Sequence, residues 1–232
     1  MNRLLKDWFR GSGKATAPPR RVKPVLHHDK PGPRIEVNAW DTSNVVRAVA
    51  EIVGTHPYPY NELMLMATAY FYHRPELVID IGTHQGKSAR IWHELGAYVD
   101  TPALVHTIDL FDQSHPEFPG KDVGRCIRGL PVEQHVGDGA EVASRLLDEH
   151  AGKVTLLFLD GDHSFDTVVK ELELVTRIDD GAVLLHDTFY QPGSGYNHGP
   201  YEAVNDFLKR HAVEQVIHQN LGLPGMTYLK LA

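Results

Sequence analysis

Leu77-Val78-Ile79-Asp80-Ile81-Gly82-Thr83-His84-Gln85-Gly86-Lys87-Ser88 is the stretch on which the fold turns. Its first five residues are apolar except for Asp80, the length and character of a strand buried on both faces. Gly82 permits a sharp turn out of the strand, and Gly86 lets the following segment approach a ligand closely. From Lys87 the spacing predicts a helix over 87–95. Strand, tight turn and helix together are the repeating unit of a parallel sheet.

The same alternation continues outward. Toward the C-terminus, strands are expected over 103–108, 133–136, 154–159, 182–185, 213–218 and 226–231. Helices are expected over 140–149, 165–176 and 201–211. Toward the N-terminus, Thr42-Ser43 caps a helix whose Val45, Val46, Val49 and Ile52 share one face. His56-Pro57-Tyr58-Pro59 breaks it and forms a rigid link. Asn61 caps a second helix over 62–72, apolar on most sides and therefore buried, which Pro75 ends. Only Gly222 and the Pro224-Gly225 turn separate the last two strands, too short a connection for a parallel crossover, so that pair is antiparallel. The fold class is α/β: a Rossmann-like, mostly parallel sheet with helices on both faces and an antiparallel last strand. In such sheets ligands sit beyond the carboxyl ends of the strands.

Composition narrows the class. The 232 residues are 42% hydrophobic and 23% charged, which excludes wholesale disorder and fibrous structure. No apolar run approaches the ~20 residues of a spanning helix. A single cysteine, Cys126, excludes an internal disulfide and fits a reducing, cytoplasmic setting. The net charge of −7 gives no reason to expect nucleic acid binding. That charge is uneven: residues 1–34 carry nine basic residues against Asp7 and Asp29, a net +7, which leaves −14 for the rest. With five prolines and Gly11-Ser12-Gly13, residues 1–34 read as a flexible basic tail, followed by one domain over 35–232. Within that domain, 35–76 form a helical cover and 77–232 the core. Leu4, Leu5, Trp8 and Phe9 among Arg3, Lys6 and Arg10 make residues 1–10 amphipathic, open to weak interfacial contact, to docking, or simply to packing on the domain.

Five strand ends carry polar residues. Asp80, Gly82 and Gly86 surround the first turn, where exposed helix amides suit an anion or carboxylate, although a glycine turn also serves structure alone. A dinucleotide fingerprint would need glycines where His84 and Lys87 stand. Asp109 ends the second strand, where an acid accepts ribose hydroxyls or is merely solvated. Asp138, between Gly137 and Gly139, offers an acceptor for an exocyclic amine or forms an ordinary Asp-Gly turn. The fourth strand runs into Asp160-Gly161-Asp162-His163-Ser164 and the fifth into His186-Asp187-Thr188. Apolar strands that run directly into clusters of ionisable groups point to chemistry.

These motifs, in this order, resemble those of class I S-adenosylmethionine-dependent methyltransferases. The nearest group is that of the cephalosporin-hydroxylase-like proteins and macrocin-type sugar O-methyltransferases. The resemblance runs from about Asn61 to the C-terminus and implies a seven-stranded sheet with its last strand antiparallel. It implies S-adenosyl-L-methionine as cofactor, with Gly82 and Gly86 around the methionine half and Asp80 near its amino group. Asp109 would take the ribose and Asp138 the adenine edge, with Thr83, Ser88, Leu110 and Asp160 completing the contacts. In metal-dependent relatives, the acid ending the fourth strand and two residues ending the fifth bind a divalent cation. Those positions are Asp160, His186 and Asp187, and the general base falls on His163. His186 departs from the carboxylate or amide usual there, which leaves room for Mn²⁺ or Fe²⁺ beside Mg²⁺, or for His186 itself as base without metal.

The chemistry suits these residue types. Methyl transfer to oxygen needs the hydroxyl proton removed, and imidazole, with an ordinary pKa of ~6.5, accepts it near neutrality. The expected function is O-methylation of a hydroxyl on a small molecule: a sugar moiety, natural product or phenol. Two candidate lids flank the site, over 111–130 with His115, Pro116, Pro119 and Gly120, and over 190–200 with Tyr190, Gly193, Gly195, Tyr196 and His198. Two alternatives stand beside it, a non-catalytic S-adenosylmethionine-binding regulatory or scaffold protein and an NAD-dependent dehydrogenase, the latter opposed by His84 and Asp80. Oligomeric state is open.

Overall fold

A computed structural model describes residues 39–99, 102–114, 122–190 and 195–232. The basic tail, its amphipathic first ten residues, and His115, Pro116, Pro119, Gly120 and Gly193 of the candidate lids lie outside the described residues. Helices α1 (Ala39–Val53) and α2 (Tyr60–His73) precede strand β1 (Leu77–Ile81) and helix α3 (Lys87–Val99). Then come β2 (Leu104–Asp109), β3 (Val132–Val136), α4 (Gly139–Glu149), β4 (Thr155–Leu159) and α5 (Phe165–Leu172). β5 (Gly181–His186), α6 (His198–Arg210), β6 (Val213–Gln219) and β7 (Met226–Leu231) complete the chain.

The seven strands form one sheet in the order β3-β2-β1-β4-β5-β7-β6. β1 to β5 are parallel, and β7 lies antiparallel between β5 and β6. The expected hairpin is present, but its second strand is inserted against β5, so β6 becomes the edge. Strand order reverses between β1 and β4, which opens a crevice at their carboxyl ends.

Two cores flank the sheet. On one face Val46, Leu63, Met66, Tyr70, Ile91 and Trp92 from α1 to α3 pack on Val78, Leu156, Phe158 and Leu184. On the other, Ala143 and Leu146 of α4, Val168 and Leu172 of α5 and Phe207 of α6 pack on Ile79, Ile108, Leu157 and Val183. Alternate residues of each strand thus feed opposite cores, and β1, β4 and β5 read as unbroken apolar runs for that reason.

Local corrections have identifiable causes. α1 begins at Ala39, and Ser43 does not cap it: its hydroxyl donates back to the Ala39 carbonyl at 2.6 Å. α2 starts behind Pro59, which leaves Asn61 inside the helix rather than at its cap. α5 tightens after Leu172 into a 3₁₀ segment, Glu173–Arg177, instead of continuing to 176 as α-helix. α6 starts three residues earlier than expected, because Gly199 and Pro200 fit a first helical turn, where proline's missing N–H costs nothing.

Candidate active site

Asp80 stands in the middle of the site floor, fully buried. Ser88 donates to its Oδ2 at 3.0 Å and Thr107 at 2.7 Å. Thr107 spends its one proton there, so Thr83, 2.8 Å away, donates to Thr107. Of the expected cofactor contacts, Ser88 thus spends its hydroxyl proton on Asp80 and Thr83 spends its own on Thr107. The other carboxylate oxygen, Oδ1, is buried with no hydrogen-bond partner. Burial, and to a lesser degree the charge of Asp160, pushes the Asp80 pKa up to about 7 against the hydrogen bonds from Thr107 and Ser88. A buried anion short of a donor is a strong attractor for a cation.

Gly82 carries the turn at φ 103°, and a Cβ on it would fall 2.0 Å from the Asp160 carbonyl oxygen. That close approach brings the β1 turn against the end of β4. At the end of β2, Asp109 accepts from the His84 amide at 2.7 Å through one oxygen and from the Phe111 amide at 3.1 Å through the other. The amides aim its carboxylate beyond the strand, beside the exposed Leu110. Asp138 sits differently from the rest. Its side chain caps α4 by accepting from the Glu141 amide at 2.9 Å, and it pairs with Lys170 at 3.1 Å. Those two bonds hold its pKa below the usual carboxylate value.

The densest part of the site joins β4 and β5. His186, buried at the end of β5, places Nδ1 2.9 Å from Asp160 Oδ1 and 3.2 Å from Asp187 Oδ2. Its Nε2 lies 3.0 Å from Glu62 Oε2. Carboxylates on both nitrogens require both to carry protons. Burial opposes that charge, but Asp160, then Asp187 and Glu62, outweigh it and raise the His186 pKa well above its ordinary value. Both nitrogens of His186, expected as ligand or as base, are thus occupied by Asp160, Asp187 and Glu62.

His163 lies on the loop that leaves β4. Asp162 shapes that loop by accepting from the His163 amide at 2.8 Å and from the Ser164 hydroxyl at 2.6 Å. The His163 ring places Nε2 3.1 Å from Asp187 Oδ2 and packs edge-on against Tyr196, with centroids 4.1 Å apart. Asp187 adopts φ 57°, a left-handed turn out of β5 that directs its carboxylate to both histidines. Hydrogen bonds from His163 and His186 hold its pKa at about 2 despite burial. Ligand atoms of Asp160, His163 and Asp187 lie within 4.8 Å of one another.

Two participants escaped the sequence reading. The Tyr58 hydroxyl donates to Asp160 Oδ2 at 2.6 Å, and its ring packs edge-on against His186. Glu62 accepts from His186 and from the Gly225 amide at 2.8 Å, tying α2 to β5 and to the turn before β7. A signal for Glu62 existed, since a carboxylate inside an otherwise apolar helix must be paired if buried. Tyr58, in a segment that reads as a rigid link, offered none.

Residues 79–188 match a family model described as a methyltransferase domain. A rhamnosyl O-methyltransferase of Mycobacterium tuberculosis is 30% identical over 145 residues, covering 58% of this chain and 56% of that protein. The chain thus spans just over half the length of the curated relatives it matches. A methyltransferase of Podospora anserina with S-adenosylhomocysteine bound superposes with a TM-score of 0.53 at 17% identity, over 81% of this chain and 88% of that one. A caffeoyl-CoA O-methyltransferase-like protein of Staphylococcus aureus gives 0.56 at 15% identity, over 82% and 92%. Residues 79–188 of this chain are thus similar to a methyltransferase domain, and its sheet shares the fold of these two solved structures.

Proposed function

We propose that this chain is an S-adenosylmethionine-dependent O-methyltransferase that acts on a hydroxyl of a small molecule, with a sugar hydroxyl as the favoured acceptor. The name of the Mycobacterium relatives supports the sugar. The observation that carries the reading is His163 held 3.1 Å from Asp187 at the mouth of the crevice. Asp187 fixes the proton on Nε2, and among the described residues no hydrogen bond occupies Nδ1. That nitrogen is free to accept a proton, the arrangement a general base requires.

The residues fit the cofactor. The unpartnered Oδ1 of Asp80 suits the ammonium of a methionine moiety, and Asp109, aimed beyond β2, suits a pair of ribose hydroxyls. Asp138 at the α4 cap would face the adenine edge with the carboxylate capacity that Glu141 and Lys170 leave. S-adenosylmethionine supplies a methyl group on a sulfonium. With that cofactor bound, His163 would take the proton of the acceptor hydroxyl as the methyl group passes to its oxygen. Asp160, locked by Tyr58 and His186, keeps negative potential on the cationic side of the crevice.

A divalent cation is the second reading, favoured by the convergence of Asp160, His163 and Asp187. The imidazole in that set suits Mn²⁺ or Fe²⁺ better than Mg²⁺. His163 would then ligate instead of acting as base. Turnover that survives thorough chelation supports the base reading; loss restored by Mn²⁺ supports the metal. Calorimetry tests the cofactor: S-adenosylmethionine should bind and NAD should not, and preference for NAD would sink the methyltransferase reading. Binding with no turnover on any glycosidic or phenolic hydroxyl would favour a scaffold role. Among the described residues no helix is long and apolar enough to cross a membrane. The single free Cys126 supports a cytoplasmic site of action.

A further inference from the structure

Behind the crevice, the edge of the sheet carries a second gathering of ligand-type side chains. β3 is the edge strand, and its register sets Glu133 beside His106 and His135 beside Ile108 of β2. Strand alternation therefore puts His106, Glu133 and His135 on one face, the face covered by α4. His106 Nδ1 lies 2.9 Å from His135 Nε2 and 3.5 Å from Glu133 Oε2, and the three ligand atoms all fall within 4.8 Å of one another. His150, the residue that caps the C-terminus of α4, brings its ring centroid to 5.3 Å from that of His106. His106 is 4% exposed, whereas the Glu133 side chain is 68% exposed, so the cluster has a buried anchor and an open entrance.

We propose that His106, Glu133 and His135 form a structural zinc-binding site at the sheet edge, with His150 within reach as a fourth ligand. Two imidazoles and one carboxylate are a common donor set for Zn²⁺. At zinc–nitrogen distances of about 2.0–2.1 Å, tetrahedral geometry separates two nitrogens by roughly 3.3–3.4 Å, so His106 and His135 need open by only a few tenths of an ångström. Apolar residues would serve a core better here: a pair of facing imidazoles can share one proton but leaves further polar capacity to satisfy. The site lies three residues, roughly 10 Å, back along β2 from Asp109, which separates it from the crevice. An ion there would clip the edge strand to β2 and to the end of α4.

The test titrates Zn²⁺ into the chelator-treated full chain and follows binding by calorimetry and thermal melting. Because Asp160, His163 and Asp187 also offer ligands, the Asp187→Asn variant isolates the edge. One equivalent should remain in Asp187→Asn, with a raised melting temperature. In His135→Gln that equivalent should weaken at least tenfold and its share of the thermal shift should vanish. X-ray absorption on the Asp187→Asn protein should report imidazole nitrogens around the ion. No bound zinc in Asp187→Asn, or unchanged binding in His135→Gln, would overturn the proposal. If His135→Gln fails to fold, the absorption spectrum decides alone: zinc with imidazole ligands in Asp187→Asn supports the site, and zinc without them refutes it.

Discussion

His163 and Asp187, on the loop after β4 and at the end of β5, meet through a 3.1 Å contact between Nε2 and Oδ2. Two adjacent parallel strands thereby present one oriented imidazole above the crevice. Replacing His163 by Ala should leave S-adenosylmethionine affinity within about twofold while lowering turnover by ~10²–10⁴, the usual worth of a general base. Calorimetry and single-turnover kinetics check the two halves separately. Unchanged turnover would show that another group takes the proton.

The carboxylate of Asp80 should make cofactor binding pH-dependent. Its pKa is pushed up to about 7, and only the ionised form attracts an ammonium. Protonation therefore competes with binding as pH falls through 7, and affinity should drop about tenfold between pH 8 and pH 6. Asp80→Asn should bind weakly with a flat profile. A wild-type dissociation constant that does not change over that range would contradict the assignment.

Glu62 should be structural as well as electrostatic. In Glu62→Ala, His186 Nε2 and the Gly225 amide both lose their acceptor in a buried setting. His186 keeps Asp160 and Asp187, so the loss is that of two buried donors left without an acceptor, about 1–3 kcal/mol each, measurable as a lower urea midpoint with an unchanged slope.

Glu171 sets a second pH dependence, this one on stability. Burial, with the charges of Asp138 and Asp162 nearby, raises its pKa from 4.5 to about 8. Its contribution is whole below 4.5, where both folded and unfolded chains hold the proton. As pH climbs toward 8 the unfolded chain ionises and the folded chain does not, so stability declines by up to about 1.4 kcal/mol per unit. Glu171→Gln should flatten that decline in thermal melts run between pH 5 and pH 8. A parallel pair of curves would show that Glu171 ionises normally in the fold.

Gly199 decides how closely α6 seats on the loop that carries His163. A Cβ there would fall 2.0 Å from the His163 carbonyl oxygen, so the start of α6 rests directly on the loop that carries His163. Gly199→Ala should push that loop outward, lowering kcat by tenfold or more while cofactor affinity holds. Equal loss of both would indicate a general folding defect instead.

The unbroken apolar runs at 77–81, 155–159 and 181–186 sufficed to predict a parallel sheet, because strands buried on both faces leave no room for polar alternation. The Pro224-Gly225 turn likewise foretold an antiparallel close to the sheet. Acids and histidines at strand ends marked the crevice, since apolar strands have no structural reason to stop in ionisable clusters. Which histidine keeps a nitrogen clear of carboxylates was another matter. His163 and His186 are chemically the same residue, each beside an aspartate in the chain, and local sequence does not distinguish them.

Tertiary packing made that choice. Glu62 arrives on α2, 124 residues before His186, and Tyr58 reaches Asp160 across 102 residues. These contacts set carboxylates against both nitrogens of the buried His186, which raises its pKa, and leave His163 beside Asp187 with a nitrogen to spare. Periodicity, a property of neighbouring residues, carries the sheet; the protonation of a buried imidazole depends on charges the chain brings from afar, and only the folded molecule assembles them.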